Sequence, residues 1–281
     1  MTEGRFGARL RAAMDTRGPL CVGIDPHPAL LSAWGLPDNV SGLERFTRTV
    51  VEAVADRVAV VKPQSAFFER FGSQGVAVLE SAFRQLREAG ALVLLDVKRG
   101  DIGSTAAAYA DAYLDPASPL RADAITASPY LGFGSLSPMI EKAVATGGGV
   151  FVLALTSNPE GPIFQHARTA DGRTVAQTVI DEVSQVNAGV NPLGDIGVVV
   201  GATVGDTGHD MSALGGPVLV PGLGAQGGRP EDLRAVFGDD LGAVLPSYSR
   251  EILSQGPSVT RLRDSIERLL DVCRSVVQPI G

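Results

Sequence analysis

The sequence predicts an α/β protein built as a (β/α)8 barrel, a TIM barrel in one domain spanning residues 1–281 behind an N-terminal helix. Three observations carry that expectation. Eight short apolar runs rich in strand-forming residues recur along the chain. Helical patterns separate them in a regular beat, and near-continuous apolar strands alternating with helices imply a parallel sheet covered by those helices. Eight such units in about 260 residues fit a closed barrel better than an open sheet, although periodicity alone also admits an open doubly wound sheet.

Taken in order, an amphipathic helix is expected near residues 3–16. The strand runs follow at Leu20–Ile24, Val58–Val61, Ala91–Leu95, Ala122–Ala127, Val150–Leu155, Ile196–Gly201, Pro217–Val220 and Gly242–Leu245. The helical patterns between and after them are Gly42–Asp56, Val76–Glu88, Ser104–Tyr113, Leu136–Ala145, Val175–Asn187, a short one at Asp206–Ala213, Pro230–Val236 and Val259–Val277. The longest loop candidate is Thr156–Arg173, punctuated by Asn158, Pro159, Gly161, Pro162 and Gly172. Loops of that length are usually functional, and this one follows the fifth strand, where it would partly cover a ligand. His166 within it reads as a solvated side chain. In SPYLGFGS, Ser128–Ser135, Tyr130 and Phe133 are expected to pack.

Composition narrows the function. The chain is 44% apolar and 20% charged, so it can bury a sizeable core without staples. Its two cysteines, Cys21 and Cys273, have no metal or redox spacing, which fits a reducing cytoplasm. A formal net charge of −7 argues against a general nucleic-acid or anionic-membrane surface, so an anionic ligand must be met by a local cluster of Lys and Arg. No signal peptide or membrane-spanning run is expected.

Chemistry concentrates in residues 92–110. Leu92, Val93, Leu94 and Leu95 end in Asp96, Val97, Lys98, Arg99, Gly100 and Asp101, and an alanine-rich helical pattern follows. Side chains alternate along a strand, so Asp96 and Lys98 should face one way while Leu95 and Val97 face the other. Asp25 ends VGIDPHP on the face of Cys21 and Gly23, and Lys62 ends VAVVKP on the face of Val58 and Val60. In a closed barrel these charges converge at the C-terminal mouth. VPGLGAQGG, Val220–Gly228, follows the seventh strand with glycine N–H groups that an anion could approach, and LPSYSREIL follows the eighth with Arg250, whose planar fork suits phosphate. Those two loops are the usual phosphate site of such barrels.

The stretch LLDVKRGDIGST resembles the Asp-x-Lys-x-x-Asp-Ile signature of orotidine 5'-phosphate decarboxylases in their longer bacterial form, with further matches in order along almost the whole chain. The resemblance implies that Asp25 and Lys62 hold the ribose hydroxyls, with Lys62 also paired to Asp96. It implies that Asp96, Lys98, Asp101 and Lys62 form the catalytic charge array. Asp101, Ile102 and Thr105 would reach into the partner's site, which requires a homodimer. Gln226 would contact phosphate and pyrimidine, Arg250 would clamp the phosphate, and Ser157 would read the pyrimidine edge. The long loop leaves Thr156 or Asn158 open for that last role.

The activity so implied turns orotidine 5'-monophosphate into uridine 5'-monophosphate and CO2, the last step in making UMP. Such a decarboxylation usually borrows an electron sink from a cofactor. Nothing in the sequence resembles a pyridoxal phosphate, thiamine or flavin site, so no cofactor and no metal are expected, and electrostatic stabilisation is left, with Lys98 as proton donor. Two other readings stay open: a barrel enzyme acting on a sugar phosphate through magnesium, and a catalytically silent nucleotide-binding dimer.

Overall fold

Eight parallel strands close on themselves in chain order. They are β1 (Cys21–Ile24), β2 (Val60–Pro63), β3 (Leu92–Arg99), β4 (Ala124–Ala127), β5 (Gly149–Leu155), β6 (Ile196–Val200), β7 (Val218–Val220) and β8 (Val244–Tyr248). The ring is completed where β8 pairs back onto β1, Cys21 opposite Ser247 and Val22 opposite Tyr248, which rules out the open sheet. This computed structural model describes residues 4–206, 208–225, 227–238 and 241–277.

The helices are α1 (Phe6–Arg17), α2 (Pro28–Ala33), α3 (Val40–Val54), α4 (Ala66–Glu69), α5 (Gly72–Glu88), α6 (Gly103–Leu114), α7 (Ser137–Thr146), α8 (Gly161–Gln165), α9 (Val175–Asn187), α10 (Leu233–Phe237), α11 (Arg250–Leu253) and α12 (Val259–Val276). Polar side chains start several of them. Asn39 accepts from Gly42 N, Thr174 from Gln177 N and Ser258 from Arg261 N, each satisfying an N–H that the first turn leaves unpaired. Along α12, Leu262, Ile266, Leu269, Leu270 and Cys273 recur at helical spacing and are buried, giving the stripe that packs inward.

Strand pleating sorts the core into two layers. Along β3, Leu92 and Leu94 belong to a cluster with Cys21, Val60, Phe151 and Leu219, whereas Val93, Leu95 and Val97 join the layer under the helices. Helix α1 closes the bottom of the barrel by adding Phe6, Leu10 and Met14 to the inner cluster, with Phe6 edge-on to Phe151 at 6.0 Å. Burying each such side chain contributes about 1.5–3 kcal/mol. Asp195, just ahead of β6, accepts from Gly7 N at 2.8 Å and from Arg5 Nε at 3.0 Å, and Asp123 accepts from Arg9 Nη1 at 2.6 Å. The helix is thereby fixed to the strand starts.

Several expectations need correction. The described residues of Asp206–Ala213 are not helical. Asp206 and Asp210 instead bond to Gly208 N and Ser212 N at 2.9 Å each, and Gly205 and Gly208 adopt φ of +69° and +67°, so turn chemistry wins over helix. The loop Thr156–Arg173 contains α8. Helices α2, α4 and α11 are too short to show a periodic stripe and were not expected. Strand β3 runs through the charged residues to Arg99, and β8 through Pro246 to Tyr248. Val58 lies ahead of β2 and packs in the outer layer, so Lys62 shares its face with Val60 alone. Phe133 packs against the core, whereas Tyr130, 72% exposed, packs at the surface on the Phe164 ring. No helix among the described residues is long and apolar enough to cross a membrane.

Candidate active site

A cavity of about 320 Å³ opens at the C-terminal ends of the strands. Its wall takes Asp25 from the end of β1, Lys62 from β2, Asp96 and Lys98 from β3, and Arg250 from the start of α11. The expected charges therefore converge.

At the centre is Asp96. Its Oδ1 accepts from Lys98 Nζ at 2.7 Å and from Thr126 Oγ1 at 2.8 Å, and its Oδ2 accepts from Lys62 Nζ at 3.2 Å. The backbone carbonyl of Asp96 accepts from Ser65 N at 3.2 Å and from Gln64 Nε2 at 3.4 Å. Asp96 and Lys62 are buried, while the Lys98 side chain is 47% exposed and so extends toward the open mouth.

Lys98 departs from ideal strand geometry. Its φ is +45°, in the left-handed region that non-glycine residues avoid, and the register with β4 shifts between Leu95 and Arg99. A residue held this way costs on the order of 1–3 kcal/mol and persists only when its surroundings enforce it. Thr126 supplies the enforcement. Its hydroxyl accepts from Lys98 N at 2.9 Å while donating to Asp96, so one side chain on β4 ties down both the backbone turn and the carboxylate.

The charges tune one another. Burial works to raise the Asp96 pKa, and the adjacent Lys62 and Lys98 ammonium groups overcome it, pulling the carboxyl from 3.8 down to about 2. Burial likewise works to lower the Lys62 pKa, but the carboxylates of Asp96 and Asp25 raise it above its ordinary value. The Lys62–Asp96 pair is thus ionised throughout the neutral range. Beneath it, burial pushes the Cys21 thiol up to about 12 despite the opposing charge of Lys62, so Cys21 is inert packing.

Other groups on the wall have unused hydrogen-bonding capacity. Asp25 Oδ1 and Ser249 Oγ are buried without a hydrogen-bond partner among the described residues. Thr156, Ser157 and Asn158 all line the cavity after β5, so the three alternatives for one role lie side by side. Ser157 is held against Gly201 at the end of β6, where an added Cβ would lie 2.1 Å from Ser157 Oγ. The loop after β7 contributes Pro221, Gly222, Leu223 and Ala225. Its glycines were expected to offer N–H groups to an anion, yet Gly224, Gly227 and Gly228 donate theirs to Gly228 O, Gly224 O and Gly222 O within the loop. Gln226 lies outside the described residues.

Asp101, Ile102 and Thr105 are not part of this cavity wall. Asp101 accepts from Ile102 N at 2.8 Å, Ile102 is 62% exposed and Thr105 is exposed. Sequence reasoning missed Thr126, Gln64, Ser247 and Ser249. The signal for Thr126 was parity: it lies two residues after the inward-facing Ala124 on β4. Threonine is a good strand former, and at that place it reads as structure.

Comparison with known proteins agrees with this geometry. The model of the "Orotidine 5'-phosphate decarboxylase / HUMPS family" matches residues 18–264. An orotidine 5'-phosphate decarboxylase of Salinispora tropica is 70% identical over 272 residues, covering 97% of this chain and 98% of that protein. One from Streptomyces coelicolor is 60% identical over 272 residues with the same coverage. A crystal structure from Streptomyces avermitilis, provisionally described as an orotidine 5'-phosphate decarboxylase, superposes with a TM-score of 0.96 at 58% identity, covering 99% of this chain and 97% of that one. Leishmania donovani UMP synthase gives a TM-score of 0.75 at 31% identity, covering 98% of this chain and 57% of the longer one. With its barrel, its charge array and these matches taken together, the chain belongs to the orotidine 5'-phosphate decarboxylase / HUMPS family.

Proposed function

We propose that this enzyme decarboxylates orotidine 5'-monophosphate to uridine 5'-monophosphate and CO2, the last step in making UMP, and that it does so as a cytoplasmic homodimer of single-domain chains without a cofactor. The observation that carries the reading is the Lys62–Asp96–Lys98 array at a cavity that also takes Arg250 from the loop after the eighth strand.

In this reading Arg250 and Gln226 grip the phosphate, and Asp25 and Lys62 hold the ribose hydroxyls. Asp25 Oδ1, without a donor among the described residues, supports that role, because a buried acceptor without a donor is costly until a ligand supplies one. Loss of CO2 leaves an electron pair on the ring carbon. Lys98, paired with and oriented by Asp96, stabilises that pair and delivers a proton to the same carbon, so charge and atoms balance. Asp96 also crowds the departing carboxylate. Two like charges about 4 Å apart cost on the order of 4 kcal/mol at an effective dielectric of about 20. Asp101, Ile102 and Thr105 complete the partner's site, in keeping with their place outside the cavity of their own chain. Binding energy from the unreactive phosphate is directed into holding the ring against this array.

The test is an ultraviolet assay with orotidine 5'-monophosphate in metal-free buffer, repeated with Lys98→Ala. The expected result is turnover insensitive to chelator, and a variant that still binds uridine 5'-monophosphate but has no detectable turnover. Substantial residual activity removes Lys98 from its role. No turnover of orotidine 5'-monophosphate, with magnesium-dependent turnover of a sugar phosphate instead, points to the sugar-phosphate chemistry, and product binding without any turnover points to a silent nucleotide binder.

A further inference from the structure

We infer that Gln165 is a positioning residue that sets the pyrimidine-reading segment Thr156–Asn158, and that α8 serves as the strut carrying it; this rests on the nucleotide reading above. The segment follows the last residue of β5 and has no regular structure of its own, yet all three residues line the cavity. A hydrogen-bond relay fixes it. Gln165 Oε1 accepts from Thr156 N at 3.0 Å and Gln165 Nε2 donates to Thr156 Oγ1 at 2.7 Å. Thr156 Oγ1 then donates to Asn158 Oδ1 at 2.6 Å, and Asn158 Nδ2 donates to Glu160 Oε2 at 2.9 Å.

The polarity of this relay follows from its first step. Thr156 N–H can only donate, so the oxygen of the Gln165 amide must face it and the nitrogen must face the hydroxyl. With its lone pair engaged by Nε2, the Thr156 hydroxyl is left with its proton for Asn158 Oδ1. That turns the Asn158 amide so that its nitrogen meets Glu160. One amide at the end of α8 thereby sets which donors and acceptors the segment has left for a base edge.

The strut is itself anchored. Phe164 packs on the Tyr130 ring, centroids 5.3 Å apart, tying α8 to the connection between β4 and α7. Gly161 lets the helix start close to the segment, since a Cβ there would lie 2.9 Å from Thr156 Oγ1 and 3.0 Å from Gln165 Oε1. On its other side the segment meets β6, where Ser157 Oγ lies against Gly201. Thr156–Asn158 is therefore held between an inserted helix and a barrel strand, on elements other than the β2 and β3 that carry the charge array of the same cavity.

A base-reading role and a merely structural one differ in what they do to ligands with and without a base. Binding of uridine 5'-monophosphate and of ribose 5-phosphate to the wild type, Gln165→Leu and Gln165→Glu is measured by calorimetry, with thermal unfolding alongside. Gln165→Leu keeps the size and loses both bonds, so affinity for uridine 5'-monophosphate should fall about tenfold with ribose 5-phosphate binding unchanged, and the melting temperature should drop modestly from the lost bonds themselves. Gln165→Glu keeps the acceptor for Thr156 N but recruits the Thr156 hydroxyl away from Asn158; its loss should be selective and smaller, and it carries the test if the leucine variant does not fold. Equal weakening of both ligands, or no weakening of either, overturns the proposal. A wild type that binds no uridine 5'-monophosphate overturns the nucleotide reading, and this proposal with it.

Discussion

Replacing Asp96 with asparagine removes one charge and almost no volume, and two quantities in the structure set the expected damage. The folded carboxyl titrates at about 2 rather than 3.8, and at 1.36 kcal/mol per pKa unit that difference is roughly 2 kcal/mol of net favourable interaction. The substitution also leaves Lys62, only 5% exposed, without its ion-pair partner, and breaking a buried pair from one side costs about 3–5 kcal/mol. Asp96→Asn should therefore lose roughly 2–5 kcal/mol at pH 7, read as a lower urea midpoint at constant m-value. The sign of the pH dependence follows from the depressed pKa. The carboxylate's contribution is fully present above the unfolded value of 3.8 and is lost as pH falls through about 2, so the gap between wild type and variant should narrow by about 1 kcal/mol at pH 3. Turnover should vanish with the charge. A variant as stable as the wild type at pH 7, or a gap unchanged between pH 7 and pH 3, would refute the claim that this carboxylate is held by its two lysines.

Gly201→Ala places a methyl group where Ser157 Oγ now lies, 2.1 Å away; the serine must move, and kcat/KM should fall about ten- to a hundredfold while thermal stability changes little. Phe6→Ala, at a position 1% exposed in the barrel floor, should cost about 3–5 kcal/mol in urea unfolding and leave the kinetic constants of the folded enzyme unaltered. Both thiols are buried and raised to about 12, so iodoacetamide at pH 8 should label neither Cys21 nor Cys273 until denaturant is added; mass spectrometry of the native protein reads this directly.

What the sequence made legible follows burial. All eight strands were readable because their middles are apolar on both faces, as at Val150–Leu155 and Ile196–Val200. Their ends were not. Asp96–Arg99 and Pro246–Tyr248 fell outside the expected strand runs, because polar residues and proline are poor strand formers in isolation. At the mouth the strand continues anyway, since Asp96 and Lys98 satisfy one another and Thr126 ties them to the neighbouring strand. The helix expected at Asp206–Ala213 failed for the opposite reason: its apparent pattern was outweighed by aspartates that bond locally and by glycines in left-handed conformations. In the site, the charged residues stood out by their place at strand ends and by the resemblance of LLDVKRGDIGST to a family signature. Thr126 and Gln165 did not, because what each does depends on a partner remote in sequence or on a loop conformation that no periodicity encodes.

The floor formed by Phe6, Leu10 and Met14 turns the barrel into a vessel stoppered at its base. For the proposed reaction a filled base leaves one way out: gas and nucleotide would both leave by the upper rim, past the side chains of the cavity wall.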